Sequence, residues 1–119
     1  MFSISKEFNF SASHLLTGLP DDHQCARLHG HNYIVRLVLA DELLNEVGFV
    51  RDYGELKQFK TFVDEVLDHR HLNDVFDFNP TAEMMARQLF LMFKPVYPQL
   101  ACVQISETPK TWAEYANAE

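Results

Sequence analysis

Polar and apolar residues alternate from Phe2 to His14. Phe2, Ile4, Phe8, Phe10 and Ala12 share one parity, with Lys6 the exception, while Ser3, Ser5, Glu7, Asn9, Ser11 and Ser13 share the other. Successive side chains of a strand point to opposite faces, so this pattern predicts a strand with one buried face. His14 falls on the buried parity, where a polar ring is costly unless something pairs with it. Thr17 to Gln24, with Gly18, Pro20 and two aspartates, reads as a loop. A second strand is predicted from His29 to Ala40. Tyr33, Val35, Leu37 and Leu39 lie on one of its faces, and Ile34 and Val38 accompany Arg36 on the other. Both faces are largely apolar, which predicts a strand covered on both sides.

The period then changes. Leu56, Phe59, Phe62, Val63, Val66 and Leu67 recur at helical spacing, with Lys57, Lys60, Asp64 and Glu65 opposite, and predict a helix over Glu55 to Leu67. Asn79-Pro80 predicts the start of a second helix, with Asn79 as its cap and Pro80 at its first position. Ala82, Met85, Ala86, Leu89, Met92 and Phe93 form the apolar stripe of that helix, and Pro95 and Pro98 close it. Leu100 to Glu107 predicts a further strand. Shorter strands are expected at Phe49 to Asp52 and near Trp112 to Tyr115. The order strand, strand, helix, helix, strand defines an α+β fold with a largely antiparallel sheet.

Composition narrows the class. The chain has 119 residues, 47% of them hydrophobic and 13% aromatic, which suits one domain over residues 1–119 with a substantial core. Ten basic against seventeen acidic residues leave a net charge of −7. That balance disfavours nucleic acid, since few cations are available to release counterions from a phosphate backbone. It still allows a small anion held by a local basic patch. Cys25 and Cys102 are the only cysteines, so reduced thiols in the cytoplasm are expected rather than a disulfide framework. The N-terminal MFSISKEFNF lacks the pattern of a signal peptide. The longest apolar run, Leu89 to Phe93, is too short to span a membrane.

Candidate chemistry concentrates in CARLHGH, residues 25–31. On a strand, His29 and His31 point to one face, as two ligands of one metal must. Gly30 between them permits close approach of another backbone or a ligand. His14, at the end of the first strand, can supply a third imidazole. Three imidazoles with one open position describe a catalytic zinc site, and four closed ligands a structural one. Cys25 fits either a fourth ligand or a reactive thiolate beside the metal. Asp68-His69 follows the first helix, where an Asp can orient an imidazole for proton transfer or simply be solvated with it. Glu107 continues the parity of Ala101, Val103 and Ile105. A carboxylate there is either an exposed strand end or an acceptor for two parallel N–H bonds from a guanidine-like ring edge.

The segments FNFSASH, CARLHGHNY, GFVRDYGELK, LDHRHLN, NPTAE and the late SET, in this order and covering nearly the whole chain, resemble the 6-pyruvoyl-tetrahydropterin synthase family. The short gap from Cys25 to His29 is similar to the bacterial 6-carboxy-5,6,7,8-tetrahydropterin synthase branch of queuosine biosynthesis. The resemblance implies a tunnelling fold, a four-stranded antiparallel sheet with two helices packed on one face, assembled as a homohexamer of two trimers with active sites between subunits. It implies Zn2+ on His14, His29 and His31, Cys25 as general base, and Asp68 with His69 as the proton-transfer pair. Glu107 would anchor the pterin ring, with Thr81 contributing to the pocket. Ala82 stands where relatives often carry Ser or Thr. The implied reaction converts 7,8-dihydroneopterin triphosphate to the carboxytetrahydropterin with release of acetaldehyde and triphosphate. Arg27, Arg36, Lys57 or another basic residue would make the local patch that holds the triphosphate. Two alternatives remain at this point: the pyruvoyl-forming sister reaction, which lacks the carbon–carbon cleavage, and a non-catalytic zinc-stabilised binding module.

Overall fold

The computed structural model describes residues 1–117. Its sheet has the strand order β3-β1-β2-β4-β5. The long strands β1 (Phe2–His14) and β2 (His29–Asp41) pair antiparallel over their full length, with His14 opposite His29 and Ala12 opposite His31. On the far side of β2 lies β4 (Leu100–Thr108), followed by β5 (Thr111–Ala116), both antiparallel to their neighbours. The short β3 (Arg70–His71) runs parallel to the end of β1, pairing Arg70 with Ala12 and His71 with Ser13. The sheet therefore has one strand more than the four expected, and that strand is only two residues long.

The predicted first helix is a composite. A tight turn at Tyr53–Leu56 leads into α1 (Lys57–Phe62), and the last turn, Val63–Leu67, widens to π geometry. Widened turns of this kind are often found at functional sites. Here the Asp68 N–H returns to the Val63 carbonyl, and the chain leaves the helix directly into the Asp68-His69 pair. A four-residue helix, α2 (Leu72–Val75), follows β3. The helix α3 (Ala82–Phe93) begins later than its proline suggests: Thr81 is the cap, its hydroxyl accepting the Met84 N–H at 3.1 Å. Asn79 is not the cap, because its side chain is committed to the loop after β1. The strand expected at Phe49–Asp52 is absent. That segment is a loop whose turn is organised by Asn45, the side-chain oxygen of which accepts the N–H groups of Val47, Gly48 and Phe49.

Both helical segments cover one face of the sheet, where the two apolar periodicities meet. Val35, Leu37 and Leu39 of β2 and Val103 and Ile105 of β4 are fully buried against Phe59, Val63, Leu67, Ala86, Leu89 and Phe90. Aromatic rings lock the layers edge to face, Phe59 standing 5.0 Å from Phe8 and 4.8 Å from Phe93. The opposite face of β2 departs from expectation. Ile34 and Val38 are only half-buried, and this face carries a polar network instead. Arg36 donates to Glu7 and Gln104, Gln104 donates to Glu114, and the Arg36 guanidinium lies 4.3 Å over the Trp112 ring. Among the described residues no helix is long and apolar enough to cross a membrane.

Candidate metal centre and its surroundings

The alternation that buries Phe8, Phe10 and Ala12 carries His14 into the interior, where it is completely buried. Antiparallel pairing sets His29 directly across from it, and the two-residue period adds His31 on the same face. One nitrogen from each ring lies within 4.8 Å of the other two. Gly30 allows the strands to close at this point, since a Cβ there would sit 3.3 Å from the Ala12 carbonyl oxygen.

Backbone carbonyls set the protonation of two of the rings. His14 Nδ1 lies 2.8 Å from the Pro80 carbonyl and His29 Nδ1 lies 2.7 Å from the Arg27 carbonyl. A carbonyl can only accept, so each Nδ1 carries its hydrogen and each Nε2 presents a lone pair. These two Nε2 atoms face each other at 3.0 Å. Two lone pairs at that distance repel unless a cation lies between them. The third nitrogen, His31 Nε2, is buried without a hydrogen-bond partner, although a Glu107 carboxylate oxygen stands 3.4 Å away. Burial lowers the pKa of His14 and of His31, so both rings stay neutral and keep their lone pairs. Tetrahedral zinc with Zn–N bonds of about 2.0–2.1 Å holds its nitrogens roughly 3.3 Å apart. The donor set, the facing lone pairs and the orphaned third nitrogen therefore fit a zinc ion held by three imidazoles.

Two asparagines that pattern reading missed hold the chain beyond His14. Asn73 accepts the Leu15 N–H at 3.0 Å and donates to the Leu15 carbonyl at 2.9 Å. Asn79 does the same for Thr17, at 3.0 and 3.1 Å. Each amide imitates a strand partner for one residue of loop. Asn73 ends the segment LDHRHLN and Asn79 begins NPTAE, but their partners are 58 and 62 positions away.

The other predicted residues distribute around this centre. Cys25 sits on a single tight turn, Gln24–Ala26, half-buried, and its carbonyl accepts the Leu16 N–H. Its sulfur is not part of the three-histidine group. Asp68 is held by the Ser11 N–H at 2.9 Å, and its other oxygen lies 2.9 Å from His69 Nδ1. These bonds, the Ser11 N–H first, hold the Asp68 carboxyl below the usual carboxylate range. His69 adopts a left-handed backbone with φ of 58°, uncommon for a residue with a side chain, and its N–H is tied to the Ser11 carbonyl at 2.6 Å. The ring itself is largely exposed. It lines a hollow of about 480 Å³ together with His31. Cys25 lines neither that hollow nor the smaller one, of about 240 Å³, beside Glu107. Ala82, Glu83 and Trp112 line the smaller hollow, whereas the Thr81 hydroxyl is committed to its helix cap.

One largely antiparallel sheet, backed by helices on one face and with three imidazoles gathered at one end, makes this an α+β protein with a candidate metal centre. Residues 3–118 match the family model described as 6-pyruvoyl tetrahydropterin synthase, and the chain belongs to that family. It is 35% identical over 122 residues to a protein of Synechocystis named 6-carboxy-5,6,7,8-tetrahydropterin synthase, covering 97% of this chain and 93% of the relative. It is 30% identical to the Bacillus subtilis protein of the same name, covering 96% and 84%. The solved structure of Caenorhabditis elegans 6-pyruvoyl tetrahydropterin synthase superposes with a TM-score of 0.85 at 30% identity, covering 98% of this chain and 96% of that one.

Proposed function

We propose that this chain is a zinc-dependent carbon–carbon lyase. It converts 7,8-dihydroneopterin triphosphate to 6-carboxy-5,6,7,8-tetrahydropterin with release of acetaldehyde and triphosphate, a step toward queuosine. The observation that carries the reading is the buried three-imidazole group with a carboxylate 3.4 Å from its orphaned nitrogen, in a chain whose relatives carry that activity's name. The short spacing from Cys25 to His29 adds support.

The roles follow from the chemistry of each side chain. His14, His29 and His31 would hold a zinc ion, which would supply Lewis acidity for the substrate's side chain. Glu107 accepts two parallel N–H bonds from the amino-pyrimidinone edge and fixes the ring's orientation. Cys25 removes a proton from the side chain as thiolate. His69 exchanges a proton at its Nε2, because Asp68 occupies Nδ1 and fixes the tautomer. Cys25 does not line the hollow that His69 lines within one chain, so the reading places their meeting between copies of a cytoplasmic homohexamer, a dimer of trimers. Thr81 belongs to the same proposed pocket through its neighbours Ala82 and Glu83. Neither nucleic acid nor membrane is a partner in this reading.

The pyruvoyl-forming sister reaction is the second reading, favoured by the likeness to the Caenorhabditis elegans structure. The binding-module alternative needs a fourth protein ligand, and Cys25 stands outside the histidine group. The test is product analysis by mass spectrometry after incubating zinc-loaded protein with 7,8-dihydroneopterin triphosphate. Carboxytetrahydropterin with acetaldehyde is expected. A pyruvoyl product moves the chain to the sister activity, and no turnover by the zinc-loaded protein overturns the enzymatic reading.

A further inference from the structure

Asp68 and His69 form a turn between the end of a helix and the two-residue strand β3. The His69 side chain is 82% exposed, so packing does not hold its ring, and hydrogen bonds must. The pair is tied at three points. The turn before it, Val63–Leu67, has π geometry, with the Asp68 N–H on the Val63 carbonyl at 2.9 Å. A turn of that kind takes up one residue more than an α turn and so changes the direction in which the next residue leaves. Arg70 steadies this turn by donating to the Glu65 carbonyl at 3.1 Å.

The other two ties go to one residue of β1. A strand residue turns its N–H and its C=O to the same edge, and at Ser11 that edge faces away from β2. The Ser11 N–H donates to Asp68 Oδ1 at 2.9 Å, and the Ser11 carbonyl accepts the His69 N–H at 2.6 Å. Each bond bears on His69. The first fixes the carboxylate whose other oxygen lies 2.9 Å from His69 Nδ1, so the ring hydrogen sits on Nδ1 and Nε2 carries the lone pair. The second supports the left-handed backbone, φ 58°, which a residue with a Cβ uncommonly adopts. The lowered pKa of the Asp68 carboxyl agrees, since the Ser11 N–H is its foremost cause. The Ser11 side chain is a separate matter: its Oγ donates to Asn32 Oδ1 at 2.7 Å.

We propose that Ser11 is a positioning residue that acts through its main chain, clamping Asp68 with its N–H and His69 with its carbonyl, so that His69 Nε2 is presented in one place and one tautomer for proton exchange. The inference rests on the proton-transfer role proposed above for His69. The clamp uses no side chain of β1, so nothing in the identity of residue 11 announces it.

Ser11→Pro removes the N–H and keeps the carbonyl, and proline is tolerated where a strand's N–H points off the sheet edge. Ser11→Ala keeps both main-chain groups and is the conservative variant. Both are compared zinc-loaded with the parent, with zinc content, circular dichroism and gel filtration as controls. The readouts are kcat and KM with 7,8-dihydroneopterin triphosphate, and the His69 tautomer from the 15N shifts of its ring. Ser11→Pro is expected to lower kcat about 10–100-fold, as a displaced acid–base group does, with KM within about twofold and the Nδ1–H tautomer lost. Ser11→Ala is expected to keep the parental tautomer. A parental kcat or a parental tautomer in Ser11→Pro overturns the clamp. An equal loss in Ser11→Ala also overturns it, by assigning the effect to the bond between Ser11 Oγ and Asn32. Should Ser11→Pro fail its folding controls, amide hydrogen exchange in Asp68→Ala reads the same bond from its other end. The Ser11 N–H is then expected to exchange at least about tenfold faster than in the parent, with Phe10 and Ala12, whose N–H groups face β2, unchanged. Parental exchange at Ser11 overturns the clamp. No turnover by the parent ends the lyase reading, and the tautomer and exchange results still decide the clamp.

Discussion

Replacing Asn73 by Ala tests whether the geometry of the metal centre is inherited from the loop beyond β1. The amide makes two hydrogen bonds to the backbone of Leu15, the residue after His14, at 3.0 and 2.9 Å. Each contributes about 1 kcal/mol net, so the variant is expected to lose about 2 kcal/mol of stability, measurable by urea denaturation. The effect on the metal follows separately. His14 is aimed by the Pro80 carbonyl at one nitrogen and by the register of β1 at its backbone, and Asn73 fixes where that backbone goes next. Groups that orient a ligand from outside typically alter metal affinity by about 10–100-fold. Because Asn73 acts through the backbone, a loss of about tenfold is expected, read by competition with a chromogenic zinc chelator. Asn73→Asp sharpens the experiment. It keeps an acceptor for the Leu15 N–H but sets a carboxylate oxygen against the Leu15 carbonyl, so it is expected to be at least as harmful at neutral pH. The reasoning is refuted if Asn73→Ala loses stability as calculated while its zinc affinity stays within twofold of the parent.

Three further outcomes are expected. Cys25→Ala keeps its zinc and its circular dichroism spectrum but loses roughly 10²–10⁴-fold in kcat, the usual worth of a positioned acid–base group; loss of zinc from that variant would make the thiol a ligand instead. Glu107→Gln, nearly identical in shape, retains zinc and loses roughly 10–100-fold in kcat/KM, because a neutral amide cannot accept both N–H bonds of the pterin edge; parental kinetics would remove Glu107 from substrate binding. For Asp68 the sign of the pH effect is fixed by its depressed folded-state pKa. Its stabilising contribution is complete above the unfolded value of about 3.9 and disappears as pH falls through the lower folded value. The melting-temperature gap between the parent and Asp68→Asn should therefore be constant from about pH 5 to 7 and close in stronger acid; a gap that persists unchanged there would contradict the carboxylate's role.

The histidine centre was legible because strand periodicity is local. His14 on the apolar parity and His29 with His31 two apart needed only the register of one antiparallel pair to converge, and that pair forms over its full length. The same logic placed Glu107 on the correct face. What the sequence hid depends on partners distant in the chain. Asn79 looked like a helix cap because Asn before Pro is a strong local signal, yet its amide pairs with Thr17, and Thr81 caps the helix two residues later. The segment Phe49–Asp52 had strand composition, but its first N–H, that of Phe49, is taken by the Asn45 side chain together with those of Val47 and Gly48. The π turn at Val63–Leu67 and the two-residue β3 left no periodic trace, because both are set by how the chain enters and leaves Asp68-His69. The opposite face of β2 was expected to be covered. Within one chain Arg36, Gln104, Glu7 and Trp112 give it a polar network instead.

The central claim is an open metal site made of three imidazoles, with the thiol outside it. X-ray absorption at the zinc edge of the zinc-loaded protein tests this most directly. The account predicts one zinc per chain and a single shell of nitrogen and oxygen scatterers at about 2.0–2.1 Å, with imidazole multiple scattering from three rings. A sulfur shell at about 2.3 Å would contradict it, closing the site with Cys25 and making the zinc structural.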